Sequence, residues 1–158
     1  MKNSLAKVVG YLVIVGGSCY LLLLAVQYVG RQAQRLDSIS TAKSFTRAMQ
    51  GNDLERARQL SNPLLWDSLE SWQASRELVH CTGFSIEATE FVVGGPVSGD
   101  PESQRNSISI NEPCRTEGHP DRWYCILAND IILIKKNNGL WEVTSFGTIE
   151  ESFTRGLC

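Results

Sequence analysis

Charge is missing from Val8 to Val29: VVGYLVIVGGSCYLLLLAVQYV runs for about twenty residues without Asp, Glu, Lys or Arg, the length that spans a bilayer as a helix. Proline is missing before Pro63, so nothing in the first third of the chain forbids a continuous helix. A phosphate-binding loop is missing too. The polar, glycine-rich stretch from Gly94 to about Arg105 lacks the Gly-Lys-Ser/Thr ending that such a loop needs, and reads as a connection. No catalytic signature is present. These absences point to a membrane-anchored chain that is not an enzyme and carries no cofactor.

The main rival for the apolar run is a cleaved signal peptide, since Lys2 and Lys7 form a basic leading segment. A signal peptide's apolar core is only about 7–15 residues and ends at small residues. This run is longer, ends in Gln27-Tyr28-Val29-Gly30, and continues through Tyr20-Leu21-Leu22-Leu23-Leu24 past the faint lipoprotein-like box at Gly16-Gly17-Ser18-Cys19. We therefore expect residues 1–7 to be a short cytoplasmic segment, 8–30 a retained single-pass signal anchor and 31–158 one folded domain. Positive charge flanks both ends of the span, with Lys2 and Lys7 on one side and Arg31 and Arg35 on the other, so charge does not set orientation. The cysteines do better. Outside the span four remain, Cys81, Cys114, Cys125 and Cys158, an even number suited to disulfides in an oxidising compartment. The expectation is an amino terminus in the cytoplasm and a domain on the periplasmic or other exported side; unpaired thiols in a cytoplasmic domain are the alternative.

Setting Lys2 and Lys7 aside from 15 basic residues leaves 13 against 17 acidic ones, a formal charge near −4 for the domain. That balance argues against nucleic acid. Leu36, Ile39, Ala42, Phe45 and Met49 recur at helical spacing up to Gly51, and Asn52 with Glu55 reads as the cap of a second helix carrying Leu54, Ala57 and Leu60. Asn62 caps a third, with Pro63 in its first turn and Leu65, Leu69 and Trp72 on its apolar face. Trp66, Asp67, Glu70 and Trp72 resemble a pocket with acid groups, but aromatic residues at helical spacing are ordinarily core.

After Glu77 the period changes to two. Phe84, Ile86 and Ala88 against Ser85, Glu87 and Thr89 predict a half-buried strand, and Ser107 to Ile110 a second. Arg122 to Ala128 predicts a central third strand, apolar on both faces, which Asn129-Asp130 interrupts. Ile131 to Lys136 either continues it through a bulge or begins a new strand. Asn138-Gly139 predicts a tight hairpin into Leu140-Trp141-Glu142-Val143, and the tail from Gly147 either lies over the sheet or stays loose. Glu112, Cys114, His119 and Cys125, with His80 and Cys81 further back, form the one cluster with metal-like chemistry. The long irregular link between Cys114 and Cys125 argues against zinc and for a staple. A hairpin between the second and third strands would set Cys114 across from Cys125, leaving Cys81 to tie down Cys158.

Helices followed by an antiparallel sheet predict an α+β domain with helices over one curved sheet face. The stretch from Ala42 to Ala57, AKSFTRAMQGNDLERA, is similar to the opening of the nuclear transport factor 2-like, or cystatin-like, superfamily, and Asn138 to Val143 resembles its closing hairpin. The resemblance covers roughly residues 36–147 and implies a cone-shaped fold. Members of that superfamily include acid–base enzymes, small-ligand binders and membrane-anchored interaction modules, and no Tyr/Asp acid–base pair falls on matching positions here. Two functions follow as expectations. One is a non-enzymatic interaction or assembly module, an accessory subunit held beside integral membrane partners. The other is a small-ligand binder or hydrolase-like enzyme with Trp66, Trp72, Tyr124 and Trp141 as pocket walls and His80 or Asp67 as the polar group.

Overall fold

With no proline to interrupt it, the amino-terminal stretch forms one helix, α1 (Lys2–Gln50), in a computed structural model of the chain. The structure describes residues 2–77, 79–81, 83, 97, 100, 102–116, 122–136 and 138–154, with side chains for all of these except 2–14, 80, 116, 122–123 and 150–154. The strand expected over Phe84–Thr89 lies outside the described residues. Two units divide the chain, Met1–Leu36 and Asp37–Cys158.

In the first unit every described side chain from Val15 to Arg31 is exposed, the leucines Leu21–Leu24 among them. Among the described residues no helix is long and apolar enough to cross a membrane. The first part of the charge-free run, 8–14, lies outside the described side chains.

In the second unit the apolar stripe of α1 is buried at Ile39, Ala42, Phe45, Ala48 and Met49, whereas Leu36, expected on that stripe, is exposed. The helix stops by a left-handed turn. Asn52 takes φ 60°, Asp53 N donates to Ala48 O (2.8 Å) and Asn52 N to Met49 O (3.2 Å), the paired bonds of a Schellman ending. Asn52 is therefore spent on ending α1, and the cap of α2 (Leu54–Gln59) is Asp53, whose Oδ1 accepts from Arg56 N at 3.0 Å. Asn62 behaves as expected: its Oδ1 accepts from Leu64 N, Pro63 sits in the first turn of a 3-10 segment (Pro63–Leu65), and α3 (Trp66–Glu77) follows.

Among the described residues the sheet is antiparallel, with four strands in the order β1 (Val79–Cys81), β2 (Ser103–Thr116), β3 (Arg122–Lys135), β4 (Trp141–Thr154). Asn129-Asp130 does not interrupt β3. The strand carries on to Lys135, with irregularities at Ile126/Ala128 and Ile132/Leu133, because Asn129 is buried in register opposite Ile108. Asp130 lies on the other side, where Arg105 grips it with Nε–Oδ1 at 3.0 Å and Nη2–Oδ2 at 2.5 Å; that bond and the adjacent charge hold the Arg105 pKa above its ordinary value. The hairpin into β4 is one residue longer than expected. Lys136 N donates to Leu140 O and only Gly139, among the described turn residues, has positive φ (82°), the geometry of a three-residue loop. The tail joins the sheet, since β4 runs on to Thr154.

Between helices and sheet lies one apolar cluster built on Phe45, Leu69, Ile108, Ile131, Leu133 and Val143, with Trp141 at its margin and Trp72 and Phe146 packed against it. Phe45 and Phe146 meet at 5.5 Å between ring centres, tilted by 59°. A second, smaller cluster of Ile110, Cys114 and Ile126 sits toward the β1 end, with Cys81 and Tyr124 against it.

Candidate functional site

Period-two alternation along β2 turns Asn106, Ile108, Ile110, Glu112 and Cys114 inward, so a carboxylate arrives in the interior by strand geometry alone. Glu112 is 1% exposed. An uncompensated charge at that depth would be prohibitive, and Arg76 from α3 supplies the counter-charge. The pair is bidentate, Nη1–Oε2 at 2.7 Å and Nη2–Oε1 at 2.6 Å. Gln50, the last residue of α1, completes the arrangement: its Oε1 accepts from Arg76 Nη1 at 2.7 Å and its carbonyl from Nη2 at 3.3 Å. The guanidinium lies 4.7 Å from the centre of the Trp72 ring. One arginine thus ties the end of α1, α3 and β2 together.

Beside this pair is a disulfide. Cys81 of β1 and Cys114 of β2 are direct cross-strand partners and are bonded, with Cα atoms 4.1 Å apart. The expected Cys114–Cys125 bridge is therefore corrected. In the β2–β3 register Cys114 faces Tyr124 while Cys125 faces Pro113, and neighbouring residues of a strand point to opposite faces. The companion pairing of Cys81 with Cys158 falls with it, because Cys81 is already used. Cys125 is itself disulfide-bonded, and Cys158 lies outside the described residues. Cys19 is a free thiol.

The sulfurs of Cys81 and Cys114 and a carboxylate oxygen of Glu112 all lie within 4.8 Å of one another. Of the residues singled out for metal-like chemistry, these three come together; Cys125 is turned away, His119 is outside the described residues, and His80 is described only as the β1 residue paired with Arg115.

The four expected pocket walls do not enclose one space. Trp72 and Trp141 belong to the main cluster, Tyr124 to the smaller one, and Trp66 is 41% exposed with Arg58 5.8 Å from its ring. Asp67 is exposed and Glu70 pairs at the surface with Arg58. A cleft between α1, α2 and α3, lined by Met49, Leu54, Leu69 and Trp72 among others, has a volume of about 10 Å³, room for one water. Sequence reasoning passed over Arg76 and Gln50. The signal for them was Glu112 itself, an acid in phase with inward-facing Ile108, Ile110 and Cys114, which demands a buried cation from the helices.

No protein-family model matches the chain, and no curated protein matches it as a relative. Among solved structures, the chain is similar to a computationally designed 17-OHP binder at a TM-score of 0.36 and 14% identity, over 70% of this chain and 98% of that one. That likeness is loose.

Proposed function

We propose that the chain is a membrane-anchored, non-enzymatic interaction or assembly module, an accessory subunit of a membrane protein complex. The observation that carries this reading is the filled interior of the second unit. Phe45, Leu69, Ile108, Ile131 and Leu133 occupy the space between helices and sheet, and the buried carboxylate that acid–base chemistry would need is engaged on both oxygens by Arg76. What is left to act is the surface.

The anchor is part of the proposal. From Val15 to Val29 the helix is exposed all round with almost no polar side chain, which is how a helix surrounded by lipid is built. Counted on the sequence from Val8, the charge-free run reaches bilayer length. Residues 1–7 lie in the cytoplasm and 31–158 on the exported side; the Cys81–Cys114 disulfide supports an oxidising compartment. Membership of the nuclear transport factor 2-like superfamily belongs to the same reading, supported by the order of helices and antiparallel strands.

One observation favours the alternative of a small-ligand binder using the interior: Thr46 Oγ1, Asn106 Oδ1 and Asn129 Oδ1 are buried without a hydrogen-bond partner among the described residues. The apolar side chains that fill the space between helices and sheet support the first reading. Capture of the full chain from a mild-detergent extract, read by mass spectrometry, should recover integral membrane proteins in fixed ratio, and a variant whose 8–29 segment is replaced by an unrelated membrane span should recover the same set. Recovery of the chain alone, or carrying a small organic molecule, overturns the proposal.

A further inference from the structure

Two sulfurs and a carboxylate oxygen converge beside Arg76, each within 4.8 Å of the others, with Cys114 and Glu112 buried and Cys81 half-buried. We propose that the disulfide is one of two occupants of this place: once Cys81–Cys114 is reduced, the two thiolates and Glu112 form a binding site for a thiophilic divalent cation of the zinc class. Bond and metal exclude each other, because the metal needs thiolates and a disulfide sulfur becomes one only when the sulfur–sulfur bond is broken by two electrons.

The chemistry balances. A dithiol or phosphine reductant supplies the two electrons that break the sulfur–sulfur bond, two protons convert the cysteines to thiols, and the reductant leaves as its disulfide or oxide. Cation binding then forms two metal–sulfur bonds and releases those two protons to solvent. A tetrahedral zinc ion has sulfur ligands at about 2.3 Å and carboxylate oxygen at about 2.0–2.2 Å, which sets ligand atoms roughly 3.3–3.8 Å apart. The three atoms are already inside 4.8 Å, so rotation of side chains closes the site while the β1–β2 register stays as it is.

Charge selects the cation. Two thiolates, Glu112 and Arg76 sum to two negative charges, which a divalent ion cancels, so the buried site is neutral when filled. Reduced and empty, it is neutral as well, with two thiols and an ion pair. Arg76 remains as a positioning residue: one carboxylate oxygen stays on its guanidinium, itself held by Gln50 Oε1 at 2.7 Å, while the other turns to the metal. The half-buried Cys81 side is the way in for the ion and for a water as fourth ligand.

Cobalt is the probe. Full chain in detergent micelles is reduced with a phosphine, freed of it without air, and titrated with Co²⁺, whose bonds to thiolate absorb strongly in the near ultraviolet. One equivalent should bind to the reduced chain with that absorption, be displaced by Zn²⁺, and not bind to the oxidised chain. Cys81→Ser and Cys114→Ser should each lose the thiolate band in part and the affinity almost wholly. Glu112→Gln should weaken binding at least about ten-fold. Cys125→Ser should retain it. Because those variants could disturb folding, wild-type chain provides the second readout: saturating Zn²⁺ should slow re-formation of the Cys81–Cys114 bridge in air, followed by peptide mapping. The proposal is overturned by a folded reduced chain that takes no Co²⁺, by binding that lacks the thiolate band or keeps it in Cys81→Ser, by re-oxidation indifferent to Zn²⁺, or by a reduced chain that unfolds.

Discussion

Glu112 is a buried charge and Arg76 a half-buried one, and the two depend on each other. A charge that is 1% exposed and doubly hydrogen-bonded is tolerable only while its partner is present. Arg76→Ala and Glu112→Ala should each lower unfolding free energy by about 3–5 kcal/mol, because each leaves the other charge buried and unpaired. The double replacement by leucines of similar bulk should recover most of that loss. Urea unfolding of full chain in micelles, followed by tryptophan fluorescence, measures all three. Arg105→Ala is the contrast: its pair with Asp130 is solvent-exposed, and the unfolding midpoint should not move appreciably. Phe45→Ala, which empties the centre of the main cluster, should cost about 3–5 kcal/mol. These positions differ in legibility. Phe45 was visible as part of a helical stripe, and Glu112 was visible but read as a member of a metal-like cluster. Arg76 carried no local signal, since its role arises only when α3 is laid across β2.

At the scale of elements, helix boundaries were legible and strand register was not. Asn62-Pro63 and the Gly51 region mark helix ends through local backbone chemistry, and the structure moves the α2 cap by only one residue, from Asn52 to Asp53. Register is a long-range property. Setting Cys114 across from Cys125 rather than Tyr124 is a slip of one residue, and a slip of one sends every side chain to the wrong face. The bulge between Ser109 and Glu112 and the longer turn at Gly139 are what sequence periodicity could not count. Non-reducing peptide mapping should therefore find Cys81 joined to Cys114, and Cys125 joined to Cys158, the cysteine that remains when Cys19 is free. A Cys114–Cys125 peptide would contradict the register of β2 and β3. Opening the first bridge with Cys81→Ser removes a link across a sequence separation of 33 and should destabilise the domain by roughly 3–4 kcal/mol in the chain-entropy model.

For the whole molecule, the proposed function gives the two units separate tasks: the apolar, exposed helix is proposed as the anchor, and the surface of the filled α+β unit is proposed to meet partners. Confinement to a membrane raises the effective concentration of other membrane proteins around that surface, so modest contacts suffice for assembly. The domain's acidic balance, formally near −4, argues against indiscriminate adhesion to anionic lipid. Replacing Leu21–Leu24 with serines should release the chain from the membrane fraction while leaving its α+β circular-dichroism signature in place. The most direct measurement is lysine cross-linking of sealed cells with a reagent that cannot pass the membrane, read by mass spectrometry. Lys136, 48% exposed on the β3–β4 turn, should be modified and cross-linked to exported loops of integral membrane proteins, with Lys2 and Lys7 reacting only after lysis. Modification of Lys2 and Lys7 with Lys136 protected, or a reactive Lys136 that cross-links to no membrane protein, would contradict the account.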